Sequence, residues 1–217
     1  MRYAVPMCNR YANRVSYRQY VEEFSETRLP LIVPGPSAAP NLEPRDNIRP
    51  TERAEVLLPI EGGLELRTMR WGLIPWFHKK TLKEWKVLTT NARSETVATI
   101  ASYKSAFAHR RCLIPVSAFY EWTGEKSPKT KWQFTVPGSE CFCFAGIWDR
   151  ATTADGEIES YALVTLPNHP EFEQYHDRQP FVLRKDDYTA WLESPAAAQA
   201  LIRQAQTAPL AVELATV

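Results

Sequence analysis

The chain has 217 residues, 44% of them hydrophobic and 12% aromatic, which is enough apolar surface for one sizeable core, so a single domain is expected. No apolar run reaches the roughly eighteen residues of a membrane span, and the opening MRYAVPMCNRYANR lacks the apolar stretch of a secretory signal. Neither a membrane partner nor export is expected, and a cytoplasmic location is.

The formal net charge of +1 conceals a sorting of charge along the chain. Residues 67–131 hold thirteen Lys and Arg against four Glu, whereas residues 149–195 hold four basic against ten acidic. One basic face able to attract a polyanion is expected, and a solvated lysine-rich loop is the alternative. The four cysteines, Cys8, Cys112, Cys141 and Cys143, show no C-x-x-C spacing. In a reducing compartment they remain thiols, so neither disulfides nor a metal or other cofactor is expected.

In chain order, SYRQYVEEF sets Tyr17, Tyr20, Val21 and Phe24 at helical spacing, with Ser16 as N-cap and Gln19 completing a capping box. Residues 28–50 carry six prolines and no sustained period, which predicts an extended surface excursion. From Ala54 onward come short β-rich runs: AEVLLPI, LELRTMRW, RCLIPVSAFYEW, KWQFTV, CFCFAGIWD, SYALVTL and PFVL. Between them SETVATIASYKSAF places Val97, Ile100, Tyr103 and Phe107 on one helical face, and DDYTAWLES and PAAAQALIRQA predict C-terminal helices. The expected fold is α+β, a single domain with a mainly antiparallel sheet or open barrel flanked by a few helices.

Five short segments are rich in chemistry: MCNRYA at 7–12, RWGLIPW at 70–76, NARSET at 91–96, FYEW at 119–122 and YHDRQP at 175–180. With RCLIP at 111–115, NIRPT at 47–51 and FAGIWD at 144–149, they resemble in order the motifs of the SOS-response-associated peptidase (SRAP) family, whose members process abasic sites. The resemblance runs from residue 7 to about residue 192.

What it implies is an enzyme that senses abasic sites in single-stranded DNA by a lyase-like covalent crosslink in the DNA-damage (SOS) response, with an associated self-cleaving peptidase activity, acting as a monomer in the cytoplasm and on the nucleoid. A cysteine at the N-terminus carries an amine and a thiol on adjacent carbons. The amine condenses with the open-chain sugar aldehyde, and the thiol closes a five-membered thiazolidine ring. The resemblance assigns that role to Cys8, whose plain alternative is a small buried thiol.

Glu121 lies in a run that otherwise reads as buried strand, where a carboxyl is suited to hold or give a proton; in the family it assists ring opening. The alternative is an exposed charge at a strand end. His176 would move protons at the sugar oxygen or the imine, and Asn91 would orient the amine or sugar, unless they are simply a polar side chain and a cap. Arg10, Arg93 and Arg178 would clamp phosphates, and Trp71 would stack on a base; surface ion pairs and a core aromatic are the alternatives.

Six residues, MRYAVP, precede Met7-Cys8, whereas the family begins Met-Cys. The chemistry needs the Cys8 nitrogen free, so residues 1–7 are read as an extension absent from the mature protein and 8–217 as the SRAP-like domain. Translation from Met7 is preferred, because aminopeptidases remove an initiator Met only before a small residue. Self-cleavage between Met7 and Cys8 would free the same nitrogen, and a chain that keeps the extension would have lost the activity. Asn9, Ala118 and Gln179 depart from the Gly, Gly and Met usual in the family, and Asn9 bears most on close approach of DNA. Two different functions stay open: an N-terminal-nucleophile cysteine peptidase using Cys8, His176 and Glu121, and a non-catalytic single-strand binder.

Overall fold

The computed structural model describes residues 9–25, 28–32, 41–125 and 128–215. Strand β1 (Tyr11–Asn13) leads into helix α1 (Tyr17–Ser25), followed by β2 (Arg45–Ile48), β3 (Arg53–Ile60), β4 (Gly63–Trp71) and β5 (Asn91–Arg93). Helix α2 (Ala101–His109) precedes β6 (Arg111–Val116), β7 (Ala118–Thr123), β8 (Thr130–Thr135), β9 (Phe142–Thr153) and β10 (Gly156–Pro167). The chain closes with β11 (Arg178–Pro180), β12 (Val182–Leu183), α3 (Tyr188–Glu193), α4 (Pro195–Gln204) and β13 (Ala211–Leu214).

The architecture is α+β and mainly antiparallel. Strands β3, β4, β10, β9 and β6 pair in sequence around a closed ring, with β6 returning to β3. The seam between β4 and β10 is parallel, matching Arg70 with Ser160 and Trp71 with Tyr161. A second sheet runs β13-β8-β7-β1-β2. Side chains alternate across a strand, and here the alternation separates two cores. Leu57, Leu113, Ala145, Ile147, Ala162 and Val164 pack with α1–α4, while Val56, Ile114, Phe144 and Leu163 pack with Tyr11, Phe119 and Phe134 of the second sheet.

Helix α1 carries its capping box. The Ser16 amide donates to Gln19 Oε1 at 2.9 Å, and the Gln19 amide donates to Ser16 Oγ at 3.3 Å. Three expectations shift. The excursion over 28–50 is partly woven into the sheets: Leu31 bridges Leu64, β2 pairs with β1, and Gly63 has no Cβ to block the Pro30 carbonyl. The helix expected from Ser94 begins at Ala101 after a string of turns, which leaves Ile100 exposed. The run RCLIPVSAFYEW is two strands broken at Ser117, where the chain leaves the ring for the second sheet. The Ser117 amide donates to Ala12 O, and Ser117 Oγ accepts from the Arg14 amide, fixing that crossing.

Candidate functional site

Strand β10 gathers one group of residues. Its Leu163–Thr165 segment pairs in parallel with Asn91–Arg93 of β5, and Thr165–Pro167 pairs antiparallel with β11. Asn91 and Arg93 therefore emerge beside Arg178, two residues after His176. The Arg178 guanidinium donates to Thr165 Oγ1 and O, at 3.1 and 2.9 Å, and to both oxygens of Glu95. That corrects its reading as an open phosphate clamp, because its donors are already largely spent inside the protein. Arg93 is exposed, as a phosphate contact requires.

His176 has a partner at Nδ1 in either protonation state. Nδ1 accepts from the Arg178 amide at 3.2 Å when it carries no hydrogen, and has the Asp177 carboxylate at 2.7 Å when it carries one. A ring held in place through both states is suited to passing a proton.

Glu121 comes from the second sheet and is only 4% exposed, which agrees with its reading as a buried carboxyl rather than a strand-end charge. It shares the inner face of β7 with Phe119 and is registered with Trp132. The Trp132 ring meets Tyr175 edge-on at 5.2 Å, and Tyr175 immediately precedes His176. The Trp132–Tyr175 contact thus links the strand paired with Glu121 to the segment that carries His176. Cys8 lies outside the described residues, as do residues 1–7. Asn9, which follows it, falls opposite Glu121 when the register Tyr11↔Phe119 is continued, and the Tyr120 amide donates to Arg10 O at 3.1 Å.

The expectation for Trp71 is corrected. Its ring is 0% exposed, stacks on Tyr161, meets Tyr11 edge-on, and donates Nε1–H to Thr90 O at 3.1 Å. No face is left for a base. The loop after it carries the exposed aromatics instead: Trp76 is 52% and Phe77 40% exposed, packed edge-to-face beside Lys79 and Lys80. Asp149, buried at the core, anchors this loop. Oδ2 accepts from the Trp76 amide at 3.0 Å, and Oδ1 accepts from the Arg150 amide and faces Arg110 Nη2 at 3.0 Å. Burial pushes the Asp149 carboxyl up, against these bonds. The sequence held a signal for Trp76, which follows Pro75 at the start of a lysine run, whereas Trp71 ends a strand.

Arg10 stands apart from the group on β10, its guanidinium 5.1 Å from the centre of the Trp122 ring. A cavity of about 890 Å³, walled by Phe134, Phe172, Tyr175 and Leu210, takes in none of the expected site residues. Cys112, Cys141 and Cys143 are buried, and burial pushes all three thiols up, so they stay protonated and inert. Among the described residues, no three His, Cys, Asp or Glu side chains group as metal ligands, and no helix is long and apolar enough to cross a membrane.

The fold and this geometry define a single α+β unit on a closed five-stranded ring, with a polar group gathered along β10 and a buried carboxyl, Glu121, on the second sheet. The chain belongs to the SOS response associated peptidase (SRAP) family, whose sequence profile it matches over residues 7–216. It is 28% identical over 189 residues to the abasic site processing protein YoqW of Bacillus subtilis, covering 86% of this chain and 80% of that protein. It is also 28% identical over 181 residues to the abasic site processing protein HMCES of Xenopus tropicalis, covering 70% of this chain and 54% of that protein. A crystal structure of a Bordetella bronchiseptica protein, 25% identical, superposes with a TM-score of 0.76 over 97% of this chain and 100% of that one. One from Bacteroides thetaiotaomicron shares the fold at 19% identity, with a TM-score of 0.77 over 95% of this chain and 91% of that one.

Proposed function

We propose that this protein captures abasic sites in single-stranded DNA by a covalent bond from Cys8, as a monomer in the cytoplasm and on the nucleoid. The reading rests above all on one observation: the segment that follows Cys8 joins the second sheet along β7, with the Arg10 carbonyl bonded to the Tyr120 amide and Tyr11 opposite Phe119, on the strand that carries buried Glu121. The family match beginning at Met7 and the abasic-site names of the relatives support it. The α-amine attacks the sugar aldehyde and loses water to give an imine. The thiol then adds across the imine carbon, its proton passing to nitrogen, to close a thiazolidine; the sum is aldehyde plus aminothiol giving ring plus water. Glu121 holds or gives the proton for ring opening, His176 passes it between sugar oxygen and imine, and Asn91 orients the reacting groups. Arg93 and Arg10 meet phosphates, and Trp76 with Phe77 offers bases a stacking surface.

The chemistry requires the Cys8 nitrogen to be free of residues 1–7. Protein starting at Cys8, its Cys8→Ala variant and the extended form are incubated with abasic single-stranded oligonucleotide and run on a denaturing gel. A heat-stable shifted band with the Cys8-started protein alone is expected. Peptide hydrolysis without that band would replace this reading by an N-terminal-nucleophile peptidase, and salt-sensitive binding alone by a non-catalytic binder.

A further inference from the structure

We propose that the outer face of the second sheet is a track for the phosphodiester backbone of the DNA strand leading away from the reactive end, built by Arg10, Arg14 and Lys131. The proposal rests on the reading of Cys8 above and extends it to residues the family motifs do not include, Arg14 and Lys131. Tyr120 of β7 sits at the centre. Lys131 Nζ lies 4.0 Å from its ring centroid, Arg14 Nη2 donates to its hydroxyl at 3.1 Å, and Arg10 caps the neighbouring Trp122. Ala12 and Ala118 on the same face pack with Tyr120 and are fully buried, so what the face offers a partner is its cations.

The three cations stand close enough that Arg10 and Arg14 add to burial in lowering the Lys131 pKa. Asp46 is the carboxylate facing them; it is held by Arg14 Nε and is 73% exposed. Glu213, toward the far edge, is taken up by Gln133. Like charges gathered with so little compensation favour an incoming polyanion. Because the cations cover the aromatic rings, bases find no free stacking face there, and recognition falls on phosphates. Arg10 follows Cys8 by two residues, so the track begins at the reactive end.

Binding of an undamaged 20-nucleotide single strand is measured against salt for wild type and for the double variant Arg14→Gln, Lys131→Gln. Each lost phosphate contact lowers the slope of log affinity on log salt by about 0.7, so a fall of about 1.4 is expected. An unchanged slope, with circular dichroism showing both proteins folded, would overturn the track. So would polyglutamate of matched length competing as well as the oligonucleotide, which would point to an acidic protein partner. Capture of an abasic trinucleotide by wild type tests the Cys8 reading separately: its failure leaves the salt slopes to judge the track alone.

Discussion

Arg178 grips Glu95 through two parallel hydrogen bonds, Nη1 to Oε1 at 2.7 Å and Nη2 to Oε2 at 2.8 Å. The same guanidinium reaches the hydroxyl and carbonyl of Thr165, so one side chain ties the exit of β5, the end of β10 and the start of β11 together. Asn91 opens β5, two residues before Arg93, and His176 stands two residues before Arg178, so both lie close in sequence to the segments this knot joins.

The pair sets a pH dependence. Hydrogen bonding from Arg178, more than anything else, lowers the Glu95 carboxyl to about 2 from its ordinary 4.5. A folded-state pKa below the unfolded one contributes stability that is complete above about pH 4.5 and is lost as pH falls toward 2. Glu95→Gln is expected to melt below wild type at pH 6, by about 1 kcal/mol because solvent screens the half-exposed carboxylate. Thermal melts between pH 6 and pH 2.5 should show the difference shrinking; a difference that does not change with pH would mean the ion pair contributes nothing.

Much of this arrangement was legible in the residues, and the remainder was not, for physical reasons. The runs at β3, β9 and β10 read correctly because each holds a stretch of consecutive apolar residues, β4 because it alternates apolar with polar side chains, and α1 because Ser16 and Gln19 spell its cap. The three-residue strands β1 and β5 are too short to carry a period, and the parallel seam between β4 and β10 joins segments some ninety residues apart. Glu121 could be read as buried from its aromatic neighbours. The binding of Arg178 to Glu95 could not, because whether an arginine turns inward or outward depends on a carboxylate eighty-three positions away.

Burial also predicts thiol reactivity. Cys112, Cys141 and Cys143 have thiols pushed well up by desolvation, so iodoacetamide at neutral pH should label native protein at Cys8 and reach the other three only after denaturation. Peptide mapping by mass spectrometry checks this. Labelling of Cys112 in the native state at the rate of Cys8 would contradict the packing described, in which Gly146 leaves room for no more than the Cys112 sulfur.

Asp149 links the exposed aromatic loop to the core. Asp149→Ala removes the acceptor of the Trp76 amide and leaves Arg110 without its carboxylate, so a loss of about 2–3 kcal/mol in urea denaturation is expected. Asp149→Asn keeps one carbonyl oxygen for the amide and should lose less. Single-strand affinity should fall in the alanine variant beyond what its unfolded fraction explains, because Trp76 is no longer held; an affinity equal to wild type would detach the anchor from binding.

The two tryptophans of RWGLIPW separate stability from binding. Trp71 is enclosed by Tyr11 and Tyr161 with its indole nitrogen bonded, so Trp71→Ala should cost about 3–5 kcal/mol, a large share of the roughly 5–15 kcal/mol that holds a domain folded. Trp71→Phe keeps the ring packing, gives up the bond to Thr90, and should leave single-strand affinity of the folded protein unchanged. Trp76 is half exposed, so its alanine variant should lose little stability but about 1–3 kcal/mol of single-strand binding, the worth of one stacked base. Urea midpoints and fluorescence anisotropy titrations on the same three variants distinguish the roles. If Trp71→Phe weakens DNA binding while Trp76→Ala leaves it intact, then the buried ring must turn out to meet DNA, and the placing of Trp71 in the core would have to be abandoned.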